Sequence, residues 1–339
     1  MKIKQEIPIF FSSDDRYVPC LSVAIKSLIE NSSIQNEYRI IILNTGISEN
    51  RIKDLKEMET KNVKISFENI DDKTTDLRQA LALRLRDYYS ATIYYRMFIP
   101  SLFPGYEKAI YLDSDMIIKD DIANLYNIDL GNNMIAAVRD AVVNDSDVFK
   151  KYSKVAIGID PKKYFNSGML VMNLREMRKA KIEDKFTKLL LKYNLDTVAP
   201  DQDYLNALCK GKVKFLPETW NKMPDFGKKY EDSDLHIIHY NMYRKPWHYK
   251  DVPYAENFWS YAKETKYYDH LQEQLQNFSE DEIKCDLEAG NKMQEYCKSI
   301  MKQELKFSEL VEEFNEYYEY EFEMHNEETT ATSECEVKA

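Results

Sequence analysis

The chain has 339 residues, 44% of them hydrophobic and 13% aromatic, enough to build the core of one large domain or two modest ones. No apolar run approaches the roughly 20 residues that span a bilayer, and the start leads directly into a strand-like segment, so neither a transmembrane segment nor a signal peptide is expected. The net charge of -11 sits in one place: residues 271–339 carry 19 acidic and 6 basic side chains, a balance of -13 that leaves +2 for residues 1–270, so the body offers no basic surface to nucleic acid and the tail repels anionic membranes.

In chain order, residues 7–12 read as a first strand, and Ser12-Ser-Asp-Asp-Arg-Tyr17 as the loop after it. Val18, Leu21, Ile25, Leu28 and Ile29 then recur at helical spacing. Residues 38–43 form a second apolar strand. Ser48 caps a helix carrying Ile52, Leu55 and Met58, and Val63, Ile65 and Phe67 alternate as a third strand. Strands alternating with helices predict a mainly parallel sheet with right-handed crossovers. Helical signal runs over 77–99, followed by a short apolar strand, Lys108-Ala-Ile-Tyr-Leu, that empties into Asp113-Ser114-Asp115. Residues 133–138 and 164–173 are further strands, and 174–193 is an amphipathic helix. Pro200 suits the first turn of a helix whose amino end presents Asp201 and Gln202. Residues 213–216 and 235–240 are short strands, the second carrying His239, and Tyr243-Arg-Lys-Pro-Trp-His248 is a basic, aromatic loop. From Ser279, a capping box opens a helix with Met293, Tyr296, Cys297, Ile300 and Met301 on one face. A second helical pattern begins at Phe307, and the last dozen residues have the composition of a disordered tail. The division expected is a body over 1–271, an acidic helical extension over 272–325 and a tail over 326–339.

The five cysteines are odd in number, widely spaced and without a Cys-x-x-Cys, which argues against a disulfide framework or a zinc knuckle and for a reducing cytoplasm. With 8 glycines and neither GxGxxG nor a Walker motif, no glycine-rich phosphate loop is available. The chemistry therefore rests on the Asp-x-Asp. In an extended segment Asp113 and Asp115 project to one face at the carboxyl end of a strand, where open α/β sheets bind ligands. Two adjacent carboxylates repel, and a divalent cation removes the conflict while creating a platform for phosphates. The structural alternative is an Asx-type turn in which the aspartates cap backbone amides. A later histidine and lysine favour the metal and diphosphate reading.

These blocks resemble glycosyltransferase family 8, almost collinearly from about residue 7 to 271. The bacterial galactosyl- and glucosyltransferases of that family carry a strand followed by Asp-Asp-x-Tyr, matched by Phe10 to Tyr17, and a Leu-Asp-x-Asp strand, matched by Leu112 to Asp115. Tyr164-Phe-Asn-Ser-Gly168, Asp201-Gln-Asp203 and His239-Tyr-x-x-x-x-Lys-Pro-Trp-His248 complete the set. The resemblance implies a GT-A nucleotide-diphospho-sugar transferase fold with a single Rossmann-like, mainly parallel sheet, here with a C-terminal helical extension. It implies a metal-dependent, retaining hexosyltransferase that uses a UDP-hexose, glucose or galactose. The acceptor would be a cell-surface glycan or its lipid-linked precursor.

By the same resemblance Asp113, Asp115 and His239 hold Mn2+, with Mg2+ as the alternative, and Lys245 adds a cation on the diphosphate. Tyr17 stacks on the uracil beside Ser12, Asp14 and Asp15. Ser114, Arg96 and Asn166 contact the donor, and Gln202, Asp201 and Asp140 form the catalytic group, with Gln202 beneath the anomeric carbon. Two departures stand out: Asn241-Met-Tyr-Arg244 replaces a glycine-containing stretch near the diphosphate, and the tail is acidic where those relatives are basic and aromatic. The extension is expected to cover an apolar edge or to mediate self-association. A haloacid-dehalogenase-like phosphotransferase and a nucleotide-sugar-binding relative without catalysis are the alternatives.

Overall fold

Residues 7–11 and 38–43 are apolar at nearly every position, so both faces of the strands they form must be covered. The computed structural model, which describes residues 4–70, 91–193 and 195–310, meets that requirement with a sheet buried between two helical layers. The strands are β1 (Glu6–Ser12), β2 (Glu37–Asn44), β3 (Val63–Asn69), β4 (Lys108–Leu112), β5 (Met116–Ile118), β6 (Ile135–Arg139), β7 (Phe165–Asn173), β8 (Val213–Leu216) and β9 (Ile237–His239). The longer helices are α1 (Val18–Glu30), α2 (Glu49–Lys56), α3 (Ile182–Tyr193), α4 (Pro200–Leu208), α5 (Ala255–Ala262), α6 (Tyr268–Asn277) and α7 (Glu280–Ile300). Alternate strand residues face opposite layers. Phe10, Tyr111, Ala137 and Leu170 join one core, while Ile9, Phe11, Leu112, Ala136 and Val171 join the other.

The main sheet runs β3-β2-β1-β4-β7-β6-β8. The neighbours β1, β2, β3 and β4 pair in parallel, as do β6 and β8, whereas β7 runs antiparallel to both β4 and β6. This reversal matters, because the beginning of β7 then lies beside the carboxyl ends of β4 and β6: Asp113 N–H donates to Gly168 O at 2.8 Å and Asp140 N–H to Tyr164 O at 3.0 Å. A second, two-stranded sheet pairs β5 with β9 in antiparallel register, opposing Met116 to His239. It packs with α5 and α6 in a third apolar cluster around Tyr240, Trp247 and Phe258.

Several sequence expectations change in detail. Asp113 to Asp115 is a turn between β4 and β5, not an extended strand end, because the chain there leaves one sheet for the other. The single helix expected over 174–193 is broken at Lys181, whose φ of 50° lies in the left-handed region and separates a short helix, Leu174–Lys179, from α3. Of the helix expected over 77–99, residues 91–98 form a 3-10 helix and 77–90 lie outside the described residues. Ser48 occupies the cap position of α2 without a side-chain hydrogen bond; its backbone N–H is instead taken by Asp15 Oδ1 at 2.9 Å.

The helical extension is built into the core. Ser279 and Glu282 form the expected capping box. Cys297, Ile300 and Phe307 are buried in the cluster that contains Tyr152, Phe186 and Tyr204. Phe307 meets Tyr204 edge-on at 4.7 Å, and Ser308 Oγ donates to Val155 O at 2.8 Å. The rest of the second helical pattern and the tail expected over 326–339 lie outside the described residues. Because Phe307 packs on α4, Phe307→Ala is expected to lower the midpoint of one shared thermal transition, at a cost of about 3 kcal/mol. A calorimetric scan in which the body melts unchanged would contradict that integration.

Candidate active site

The carboxyl ends of β1 and β4, the turn after β6, the start of β7, the first turn of α4 and the loop after β9 converge on a cavity of about 410 Å3. Its polar lining includes Ser12, Asp14, Tyr17, Arg96, Asp113, Ser114, Asp115, Asp140, Asn166, Asp201, Gln202, His239 and Lys245. Topology thus brings together all but one of the residues singled out in the sequence. The exception is Asp15, which does not line the cavity. Its carboxylate accepts from Ser48 N–H and faces Arg51 Nη1 at 3.4 Å, fastening the loop after β1 to α2.

Asp113, Asp115 and His239 form a compact cluster in which one ligand atom from each lies within 4.8 Å of the others. His239 Nε2 stands 3.3 Å from Asp115 Oδ1 and 3.7 Å from Asp113 Oδ2. The tautomer follows from the amides behind it. Gly168 N–H donates to Asn166 Oδ1 at 3.0 Å, which fixes that atom as oxygen. Asn221 Nδ2 donates to the same oxygen at 2.9 Å, so Asn221 turns its own Oδ1 toward His239 Nδ1, also at 2.9 Å. The ring proton sits on Nδ1, and Nε2 presents a lone pair to the aspartates.

A divalent cation fits this set. Asp115 Oδ1 is buried without a hydrogen-bond partner, a costly condition unless something else coordinates it. Gly168 keeps the floor open: a Cβ there would meet His239 Cε1 and stand 2.7 Å from Asp113 Oδ2. Neither aspartate acts as an Asx cap. Asp113 Oδ1 accepts from Arg96 Nη2 at 2.9 Å and Tyr111 OH at 3.1 Å, while Asp115 Oδ2 accepts from Lys245 Nζ. Burial works to raise the Asp115 pKa, but the Lys245 ammonium overrides it and holds the carboxyl well below the usual range. Burial likewise disfavours charged Lys245, yet Asp115 outweighs it and the ammonium is held.

Arg96 joins the metal cluster to α4. It is 3% exposed, with Nη2 on Asp113, Nη1 at 3.2 Å from Asp201 Oδ2 and at 2.5 Å from Ser167 O, and its guanidinium stacks 4.1 Å over Tyr111. Gln202 is fixed at both ends of its amide. Its Oε1 accepts from Ser167 N–H at 2.9 Å and Asn166 Nδ2 at 3.1 Å; its Nε2 donates to Asp140 Oδ2 at 3.1 Å and Tyr164 OH at 3.3 Å. Asp140 also caps the short helix Ala141–Asp145 through Val143 N–H. At the mouth, Asp14 accepts from Tyr17 N–H and leaves the Tyr17 ring 42% exposed on the cavity rim.

Sequence reasoning missed the residues behind these groups. Asn221, fully buried, carried no signal because it lies in an irregular segment and meets His239 only through the pairing of Lys222 with Ile238. Asp203 holds Tyr164 OH at 2.6 Å and Tyr152 OH at 2.7 Å; burial pushes its carboxyl up to about 6 while those hydroxyls and the Ala199 and Val198 amides pull it down. Its place one residue after Gln202 in a buried helix was the available clue. Met242, in the stretch that departs from the family pattern, takes a φ of 62° on the cavity wall, a conformation that glycine adopts without strain. Gly168→Ala is expected to displace His239 or Asp113 and destabilise the protein by about 1–3 kcal/mol, read as a lower thermal midpoint; an unchanged midpoint would show that the floor can yield.

The family model for glycosyl transferase family 8 matches residues 8–251. A Haemophilus influenzae protein provisionally named a glycosyltransferase is 32% identical over 253 residues, spanning 73% of this chain and 74% of its own. A lipopolysaccharide 1,2-glucosyltransferase of Escherichia coli K12 is 28% identical over 257 residues, 70% of this chain and 72% of that protein. Among solved structures, the galactosyltransferase LgtC in complex with donor and acceptor sugar analogues superposes with a TM-score of 0.63 at 26% identity, over 77% of this chain and 96% of that one. The matched stretch contains both aspartates of the turn after β4, His239 and the α4 glutamine. The chain is a hexosyltransferase of the GT-A fold and belongs to glycosyltransferase family 8.

Proposed function

We propose that this protein is a metal-dependent, retaining hexosyltransferase that moves glucose or galactose from a UDP-sugar to a cell-surface glycan or its lipid-linked precursor. The observation that carries the reading is the cluster of Asp113, Asp115 and His239, with Asp115 Oδ1 buried and unpaired and His239 Nε2 turned into the gap. Two carboxylates and one imidazole suit a borderline cation and favour Mn2+ over Mg2+. When bound there, the metal supplies Lewis-acid stabilisation of the diphosphate leaving group.

The chain's own residues do the rest. Tyr17 offers an exposed ring for a base to stack on, and Asp14 holds the loop that carries it. Lys245, drawn to Asp115 by charge, contributes a second cation beside the diphosphate. Arg96 positions Asp113 and Asp201 together. Gln202, held at both ends of its amide, lines the cavity and stabilises oxocarbenium-like charge at the anomeric carbon. An amide is a poor nucleophile, so transfer runs on one face of the sugar with the leaving phosphate oxygen accepting the acceptor's proton. The names of the relatives support glucose or galactose and a lipopolysaccharide-type glycan. The unpaired thiols of Cys20, Cys209, Cys285 and Cys297 fit a reducing, cytoplasmic compartment. Among the described residues no helix is long and apolar enough to cross a membrane.

The test is UDP release from UDP-glucose and UDP-galactose with and without Mn2+. Manganese-dependent release from one of them, abolished in Asp113→Ala and Asp115→Ala, is expected. Binding of UDP without release from either sugar would point to a strictly acceptor-gated enzyme or a non-catalytic relative instead. Gln202→Ala is expected to lower turnover about 100-fold with the affinity for UDP retained, and unchanged turnover would remove Gln202 from the mechanism. Asn221→Ala, which frees the His239 tautomer, is expected to weaken Mn2+ affinity about 10–100-fold, measured by calorimetry in the presence of UDP.

A further inference from the structure

One part of the cavity lining has no polar group to offer a nucleotide or a metal. Ile93, Val142, Val143, Phe149 and Met293 form it. Four of these belong to the body, but Met293 comes from α7, beyond the residues 8–251 that match the family. Its contribution lies outside that match.

The placement of Met293 is secured from both sides. Toward the start of α7, Asp286 Oδ2 accepts from Tyr249 OH at 2.8 Å. Toward its end Cys297 and Ile300 are buried, and past it Ser308 lies against Gly158, where a Cβ would stand 3.1 Å from Ser308 Cα. Between these anchors α7 packs on the short helix Asp147–Tyr152, which supplies Phe149. The apolar surface also adjoins the reacting end of the cavity. Asp140, whose Oδ2 accepts from Gln202, caps the helix that carries Val142 and Val143. An acceptor hydroxyl that reaches the anomeric carbon on the diphosphate's side, across the sugar from Gln202, would bring whatever the acceptor carries next to it against this wall.

We infer that the wall is the acceptor subsite, that it takes a sugar bearing an apolar substituent, and that Met293 of the helical extension is a specificity-determining residue. This rests on the transferase reading above. A bare glycan would leave its hydroxyls facing apolar side chains that cannot hydrogen-bond them, whereas an alkyl chain gains by leaving water there.

The probes are methyl and n-hexyl β-D-glucopyranoside, compared below any micelle concentration, during Mn2+-dependent hydrolysis of the donor sugar. Either glycoside alters the release of free hexose, by accepting it or by displacing water. The hexyl glycoside is expected to reach half-maximal effect at about one tenth of the methyl concentration, a difference of about 1.4 kcal/mol. The ratio should fall toward one in Met293→Gln and, through a separate residue, in the near-isosteric Val142→Thr, and persist in Met293→Leu. Equal concentrations in the unaltered protein, no effect of either glycoside, or a ratio untouched by both polar variants would overturn the inference. Mn2+–UDP affinity, measured in parallel, separates the failures: its absence from the unaltered protein defeats the transferase reading itself, whereas its presence without a hexyl preference defeats only the acceptor assignment.

Discussion

The site depends on how it buries charge. Asp113, Asp115, Asp140 and Asp201 gather around one cavity, and each ion removed from water costs several kcal/mol unless it is paired and hydrogen-bonded. Two cations offset this. Arg96, almost without exposure, bridges Asp113 and Asp201, and Lys245 meets Asp115. Asp140 is satisfied differently, by hydrogen bonds from Val143 N–H and from the amides of Asn166 and Gln202. Arg96 is the least replaceable of these groups, because its planar fork satisfies two carboxylates and a carbonyl at once, a geometry that an ammonium cannot supply.

Side-chain amides give this charge arrangement its direction. Starting from Gly168 N–H, the orientation passes through Asn166 to Asn221 and ends at the protonated Nδ1 of His239. Starting from Ser167 N–H, it passes through Gln202 to Asp140. Both chains begin on adjacent backbone amides of β7, so one strand sets which nitrogen of His239 faces the aspartates and how the Gln202 amide is turned. A strand fixed by neighbours on both sides is a stiff reference for that purpose, and loops alone would not hold it.

The extension beyond the family match belongs to the same economy. An acidic segment would ordinarily remain in solvent, yet α7 directs its charged residues outward and buries Cys297 and Ile300 against the body. What it covers is the short helix Asp147–Tyr152, whose Tyr152 reaches Asp203 and, through it, Tyr164 and the first turn of α4.

The sequence by itself determined the alternation of strands and helices, the capping box at Ser279, the carboxylate pair Asp113 and Asp115 and the set of polar corners that line the cavity. These are local: periodicity, caps and carboxylate spacing are properties of short stretches. It could not show that Asp15 turns away to α2, since Asp14 and Asp15 are equivalent as letters and only the position of Ser48 separates them. Nor could it break the helix at Lys181 or reveal Asn221, because neither residue has a local pattern. Tertiary structure alone decided the reversal of β7, which carries Asn166 to Gly168 to the carboxyl ends of β4 and β6, and the β5–β9 pairing that sets His239 beside Asp115. Hydrogen bonds between strands far apart in the chain fix those contacts, and strand direction leaves no mark on the composition of a fully buried apolar run.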